Sequence, residues 1–314
     1  FHHFHDNKTY KKNYSSLNKT DLLKIINYIG KKNINSPNEF VRKVNKKKLN
    51  SNDLCLTFDD ALKSQIKIAL PILEKLNIKA FFFIYTDIYN NKKNLMEPIR
   101  DFIQTKFKNF NKFYKFFFQN LNSNYDSSKV STFIKKKNSK MNKMKSMYNF
   151  YSINEIKYRI IRDYFFKNSD FHFFMMSLFK KKKYNLSKRY DEIFMTKKDI
   201  NSLIKKGHFI GLHSHTHPHK ISRLNFSKQK MEYNKNFESL KNINKNLKII
   251  SMSHPTGSYN KSTFKILKKL KVKIGFNSSI STLNNTKKVI HPTNFEIARE
   301  DCKNILNLLR FKLA

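Results

Sequence analysis

From residue 54 onward, short apolar runs alternate with longer segments whose apolar positions recur every three or four residues. LCLTF (54–58) is almost continuously apolar, the pattern of a strand buried on both faces of a parallel sheet. KAFFFIY (79–85), HFIGLH (208–213), LKIISM (247–252) and VKIGFN (272–277) repeat it. Between these runs, 61–76, 196–207, 227–244 and 261–270 carry helical spacing. Thr196 caps the second of these helices and Gly207 stops it. Upstream, SPNEF (36–40) is a capping box with Pro37 at the first helical position. Strand–helix alternation of this kind predicts a parallel α/β sheet, open or closed into a barrel.

The pattern breaks over 88–190. FIQTKFKNFNKFYKFFF (102–118) sets Ile103, Phe107, Phe110, Tyr114 and Phe117 at helical spacing. A polar, lysine-rich span follows over 119–149, and SINE, starting at Ser152, opens another capped helix. The reading is one domain over 1–314 with 88–190 as a helical insertion. Its aromatic stripe is expected to pack against the main body rather than against a membrane.

Composition changes this picture in three places. The formal net charge of +42 invites nucleic acid as a partner, but only eight of the 64 basic residues are arginine. Arginine does most base-edge and bidentate phosphate recognition. Asn, Ile, Phe and Tyr are abundant beside Lys and share its AT-rich codons, so coding bias accounts for all of them together. No specific nucleic-acid partner is expected, and the lysines read as a solvated surface with peripheral attraction to anionic membranes or substrates. The oligomeric state stays open. No apolar run reaches the length of a membrane helix, and FHHFHDNKTY has no apolar signal core. With only Cys55 and Cys302, far apart, the default compartment is a reducing cytoplasm. Glycine is scarce, five in 314 residues, yet Gly207 and Gly211 bracket the histidine-rich stretch and Gly257 sits in SHPTGSYN. Such residues are expected where the backbone needs positive φ or a close approach.

Two stretches carry candidate chemistry. TFDDA (57–61) puts Asp59 and Asp60 at the carboxyl end of a strand, where parallel α/β folds build their sites. GLHSHTHPH (211–219) has histidines at alternate positions, and Pro218 disfavours helix at His217. Alternation along a strand would put His213 and His217 on one side. Two imidazoles and one carboxylate make a three-ligand site with an open position, the catalytic form of a zinc centre. The second carboxylate can then act as general base.

TFDDA and HSHTH, in this order, together with the degenerate SHPTGSYN (253–260), resemble the motifs of the polysaccharide deacetylase family, carbohydrate esterase family 4. The resemblance runs from about residue 50 to 300. It implies a distorted (β/α) barrel of the polysaccharide deacetylase type, here with the helical insertion. It implies a divalent metal, zinc first with cobalt or another ion as alternatives, held by Asp60, His213 and His217. Asp59 would be the base, taking a proton from the attacking water, and the Thr256 N–H would support the oxyanion. Ser214 would help orient the site, while His215 and His219 are given no role. The substrate would be an N-acetylated carbohydrate, with O-acetyl esters in some branches. Ala61 replaces the family's glycine, and Ser253 stands where many members have the arginine that pairs with the base. No late L-x-H motif supplies the acid. His291, nearest the expected order, His254, or one of the histidines in FHHFHD are the candidates, and Arg299 is a candidate to bind the base or a substrate anion. The rival readings are an inactive barrel that binds glycan and a basic nucleic-acid-binding module.

Overall fold

The computed structural model describes residues 1–13, 15–50, 52–90, 94–147, 151–166, 169–278 and 293–312. The chain forms two compact units, Phe1–Lys92 with Asp191–Ala314, and Lys93–Tyr190.

The first unit is built on five parallel strands, β1 (Thr57–Asp59), β2 (Phe81–Ile84), β3 (Phe209–Leu212), β4 (Ser251–Ser253) and β5 (Ile274–Phe276), hydrogen-bonded in sequence order. They fall on the predicted runs but are shorter, and β1 begins at Thr57, where pairing with Phe81 starts. Ladder partners, not apolarity alone, set strand ends.

In a flat sheet β2 and β5 would lie about 14 Å apart, at roughly 4.8 Å per strand. Yet Phe81 and Phe83 meet Phe276 with ring centroids 5.3 and 5.4 Å apart. The sheet is therefore curled, as the wall of a distorted (β/α) barrel, and these rings fill its concave face. Helix Pro37–Asn45 adds Phe40, Val41 and Val44 to that core. Ser36 caps it by accepting the Glu39 N–H, but the expected box is only half formed, because the Glu39 carboxylate bonds Arg42 instead. Gly211 is where the curl leaves no room: a Cβ there would stand 2.6 Å from the Phe83 ring and from the Ser251 carbonyl.

Register then decides what faces inward at the carboxyl ends. Asp59 pairs with Phe83 and Ser253 with Phe276, so both lie on the concave face. Alternation past Gly211 brings His213 to the same face. Beside β1, Phe1 bonds to Thr57 O (2.9 Å) and accepts the Asp59 N–H (3.0 Å). Beside β5, Ile297 exchanges backbone bonds with Gly275 (2.9 Å) and Asn277 (2.8 Å). Both sheet edges are thus covered.

The second unit is helical. The aromatic stripe does not form one helix: Met96–Lys106 ends at Phe107, and Asn109 caps Phe110–Asn124. The stripe, expected to pack against the main body, packs within this unit. Phe102, Phe113, Phe117, Tyr158, Phe174, Leu178 and Phe179 form a core of this unit's own, with Ile103, Phe107, Phe110 and Tyr114 packed against it. The polar span beyond it supplies two further helices, Ser127–Lys136 and Asn138–Met147, and the Ser152 capping box is formed. The segment holds enough apolar surface to close a core itself, which the stripe alone did not reveal. Among the described residues, no helix is long and apolar enough to cross a membrane.

Candidate active site

The acidic pair sits where β1 gives way to a turn. Asp60 and Ala61 both take left-handed backbone, φ 74° and 54°. For non-glycine residues this costs about 1–2 kcal/mol each, and such strain concentrates at functional sites. The turn lets the two carboxylates reach one pocket from different directions. Asp59 is buried and receives a fork from Arg299, Nη1 to Oδ1 and Nη2 to Oδ2, each 2.9 Å. Ser253 Oγ donates to the same carboxylate at 3.1 Å. Serine thus stands in the expected arginine's place, and the arginine arrives from residue 299 instead. Burial alone would push the Asp59 carboxyl up, but Arg299, with His213 and His2 beyond it, holds it well below the usual carboxylate range.

The histidines arrive by two routes. His213 follows directly on β3, and its Nδ1–H donates to Ser253 O at 2.8 Å. That bond assigns the tautomer and leaves the Nε2 lone pair facing Asp60. His217 is not placed by strand alternation, as expected, because β3 ends at Leu212. A tight turn does it: Ser214 and His217 are left-handed (φ 62° and 55°), and Ser214 Oγ accepts the His217 N–H at 3.1 Å. Asp60 Oδ1 then lies 3.4 Å from His213 Nε2 and 3.5 Å from His217 Nε2. The three ligand atoms lie within 4.8 Å of one another.

These residues fit a divalent cation. Asp60 Oδ1 is buried with no hydrogen-bond partner among the described residues. With a neutral His213 its Nε2 lone pair faces that oxygen, and the His217 Nε2 stands beside both, an arrangement that a cation resolves. Ligands at zinc bond lengths in a tetrahedron stand about 3.3 Å apart, close to the separations seen here. Burial would lower the His213 pKa, but Asp59 and Asp60 outweigh it and hold the imidazole above its ordinary value. A proton therefore competes with a cation at this position.

Of the other singled-out residues, His215 is buried, with Nδ1 3.0 Å from Thr86 Oγ1. Thr256 lies in a left-handed turn (φ 51°), its hydroxyl donating to His219 O at 2.6 Å. His254 turns away from the carboxylates: its Nε2 bonds Phe295 O at 2.7 Å and its ring stacks on Tyr259 at 4.4 Å. Burial pushes that imidazole down to about 4. His291 lies outside the described residues. His2 is held at the mouth, Nε2 3.8 Å from Asp59 Oδ2 and 4.0 Å from Asp60 Oδ2. Gln65 Nε2 clips it in place, donating to His2 O (2.9 Å) and Asp59 O (2.7 Å). Sequence reasoning kept His2 only as one of several histidines, and it passed over Glu232 and Asn236, which bond the histidine turn.

The profile of a protein family described as polysaccharide deacetylase matches residues 46–102 and 166–275, just over half of the chain. No curated protein matches the chain. Among solved structures, the chain is similar to the deacetylase PplD of Streptococcus pyogenes, determined with acetate (14% identity, TM-score 0.52, 98% of this chain and 94% of that one). It is similar to IcaB from Ammonifex degensii (12% identity, TM-score 0.52, 100% and 95%). It is also similar to a de-N-acetylase from Aggregatibacter actinomycetemcomitans (12% identity, TM-score 0.53, 96% and 92%). At such identities the likeness is one of fold.

Proposed function

The chain belongs to the polysaccharide deacetylase family, and from that premise we propose that it is a metal-dependent hydrolase that removes an N-acetyl group from an amino sugar of a surface glycan or its precursor. The observation that carries the metal reading is the orphaned Asp60 Oδ1, buried between two imidazole nitrogens.

Asp60, His213 and His217 would hold the ion. A divalent metal bound there acidifies a water and polarises the acetyl carbonyl. Asp59 accepts a proton from the attacking water; Arg299 and Ser253 keep its carboxylate ionised and oriented. As the water oxygen bonds the acetyl carbon, the carbonyl oxygen gains charge, which the Thr256 N–H would share in this reading. The C–N bond then breaks, releasing acetate, and the leaving amine nitrogen takes up the proton that Asp59 accepted from the water. His2, whose imidazole burial lowers to about 4 and whose Nε2 lies 3.8 Å from Asp59, is the candidate to relay it. Zinc is the first candidate ion and cobalt the second. The rival reading, an inactive glycan-binding barrel, drew on Ser253 and the missing acid; Arg299 and His2 offer both contacts from elsewhere in the chain.

The test is acetate release from a panel of N- and O-acetylated sugars with added zinc or cobalt. Asp59→Asn should retain the metal and lower turnover by about 10²–10⁴-fold, the usual worth of a general base. Full activity in that variant would remove Asp59 from the mechanism.

A further inference from the structure

The turn that carries both histidines is itself held by a different element. Helix Phe226–Ile243 is polar by sequence, yet Gln229, Glu232, Tyr233, Asn236 and Leu240 are buried along it. Glu232 Oε2 accepts the N–H groups of His215 (3.0 Å) and Thr216 (2.8 Å), and Oε1 accepts the Thr216 hydroxyl (2.7 Å). Three donors from one turn make a fitted cradle for a buried carboxylate. One helical turn later, Asn236 Oδ1 accepts the His213 N–H at 2.9 Å. Its Nδ2 donates to Ile84 O (2.9 Å) and Thr86 Oγ1 (3.1 Å), tying the end of β2 to the end of β3. The loop after β2 closes the circuit, because His215 O accepts the N–H groups of Thr86 (3.1 Å) and Asp87 (2.9 Å). None of these bonds uses the Nε2 atoms that face Asp60.

We propose that Glu232 and Asn236 are positioning residues of the cation site. They hold the 213–217 turn so that both Nε2 atoms converge on Asp60 before an ion arrives. This rests on the metal reading above. The physical reason is the strain in the turn. Ser214 and His217 are left-handed (φ 62° and 55°), at about 1–2 kcal/mol each. Without its anchors the turn would relax toward ordinary backbone, and ion binding would have to supply the ordering that the helix now supplies. Such outer contacts typically change metal affinity by about 10–100-fold.

The experiment titrates metal-free protein with zinc against a chelating indicator, and with cobalt followed by visible absorption. It is run at a temperature where circular dichroism shows each variant folded. Glu232→Gln should weaken affinity about 10–100-fold and alter the cobalt spectrum at saturation. Thr216→Val, which removes one donor of three, should weaken it several-fold and serves as the test if Glu232→Gln does not fold. The control is Gln229→Ala on the same helix, whose side chain bonds Leu224 O (2.8 Å) and Thr263 Oγ1 (2.7 Å) rather than the turn. It should lower thermal stability and leave affinity alone. Parental affinity and spectrum in folded Glu232→Gln, or in Thr216→Val where that substitutes for it, would overturn the inference, as would an equal loss in Gln229→Ala. A parent protein that binds neither ion fails differently, at the metal reading beneath it.

Discussion

In the helical unit the buried side chains include Phe102, Phe113, Phe117, Met175 and Leu178; at the mouth of the curled sheet they include Asp59, Asp60, His213, Ser214, His215 and Glu232. The same lysine- and phenylalanine-rich composition is thus used in opposite ways. The aromatic core needs only shape, with edge-to-face pairs such as Phe102–Phe179 (4.8 Å) and Phe117–Tyr158 (5.0 Å). The polar mouth needs a partner for each group, since an unsatisfied buried polar atom costs about 1–3 kcal/mol. Arg299 serves Asp59, the Ser253 carbonyl serves His213, and the histidine turn serves Glu232. Asp60 Oδ1 alone in that set is left without one. Where a fold gathers polar groups that it must then satisfy one by one, stability alone does not explain the choice, and chemistry does.

His217→Ala should break the polar side of this contrast most completely. Zinc retained after dialysis and acetate release should both be lost, while the far-ultraviolet circular dichroism is unchanged. Retained stoichiometric zinc would mean that His217 is not a ligand. Phe117→Ala should strike the other region, destabilising the protein by about 3–5 kcal/mol in denaturant titration. Zinc affinity measured on the folded variant should be unchanged. A parallel fall in affinity would show that the two regions are energetically one.

Arg299→Met has the smallest expected effect and sharpens the contrast through pH. With the guanidinium gone, burial dominates and the Asp59 pKa should rise by about one to three units. Between pH 3 and 8, a window set by ordinary carboxylate and imidazole titration at about 4 and 6.5, the parent's acid limb should follow the imidazoles. The variant should show a further fall in acetate release at the low end, where Asp59 now begins to protonate. The sign for stability follows from the depressed pKa. Parental Asp59 contributes stability that is present above the ordinary carboxylate pKa of about 3.9 and lost as pH falls through its lower folded value. The variant should lose that contribution above about pH 4 and be less sensitive to further acidification. Absence of that further fall would show that Arg299 does not tune Asp59.

Much of the sheet was legible from local pattern. FFFI reads as a strand because both faces of β2 are buried, and the Thr196 and Ser152 caps mark helix starts through side-chain bonds that span only three residues. The aromatic stripe was legible as helical but not as to what it packs on, because periodicity identifies a face and not its partner. His217 was assigned to the right neighbourhood for the wrong reason, since a left-handed turn looks like strand alternation when only spacing is visible. Glu232 and Asn236 were not legible at all: four apart on a polar helix, they read as a solvated face.

The sequence by itself determined where most strands and many helices lie, though not their ends, which residues carry carboxylate or imidazole groups, and which two motifs belong to one family's order. Those properties are local, set by a few neighbouring residues and their side-chain chemistry. Only the tertiary structure decided that Asp59 takes its arginine from 240 residues downstream, that His2 stands over both carboxylates, and that a helix anchors the histidine turn. These contacts depend on how far five short strands curl. That curl is set by packing among Phe81, Phe83, Phe276 and the space kept at Gly211, a many-body outcome that no single stretch of sequence encodes.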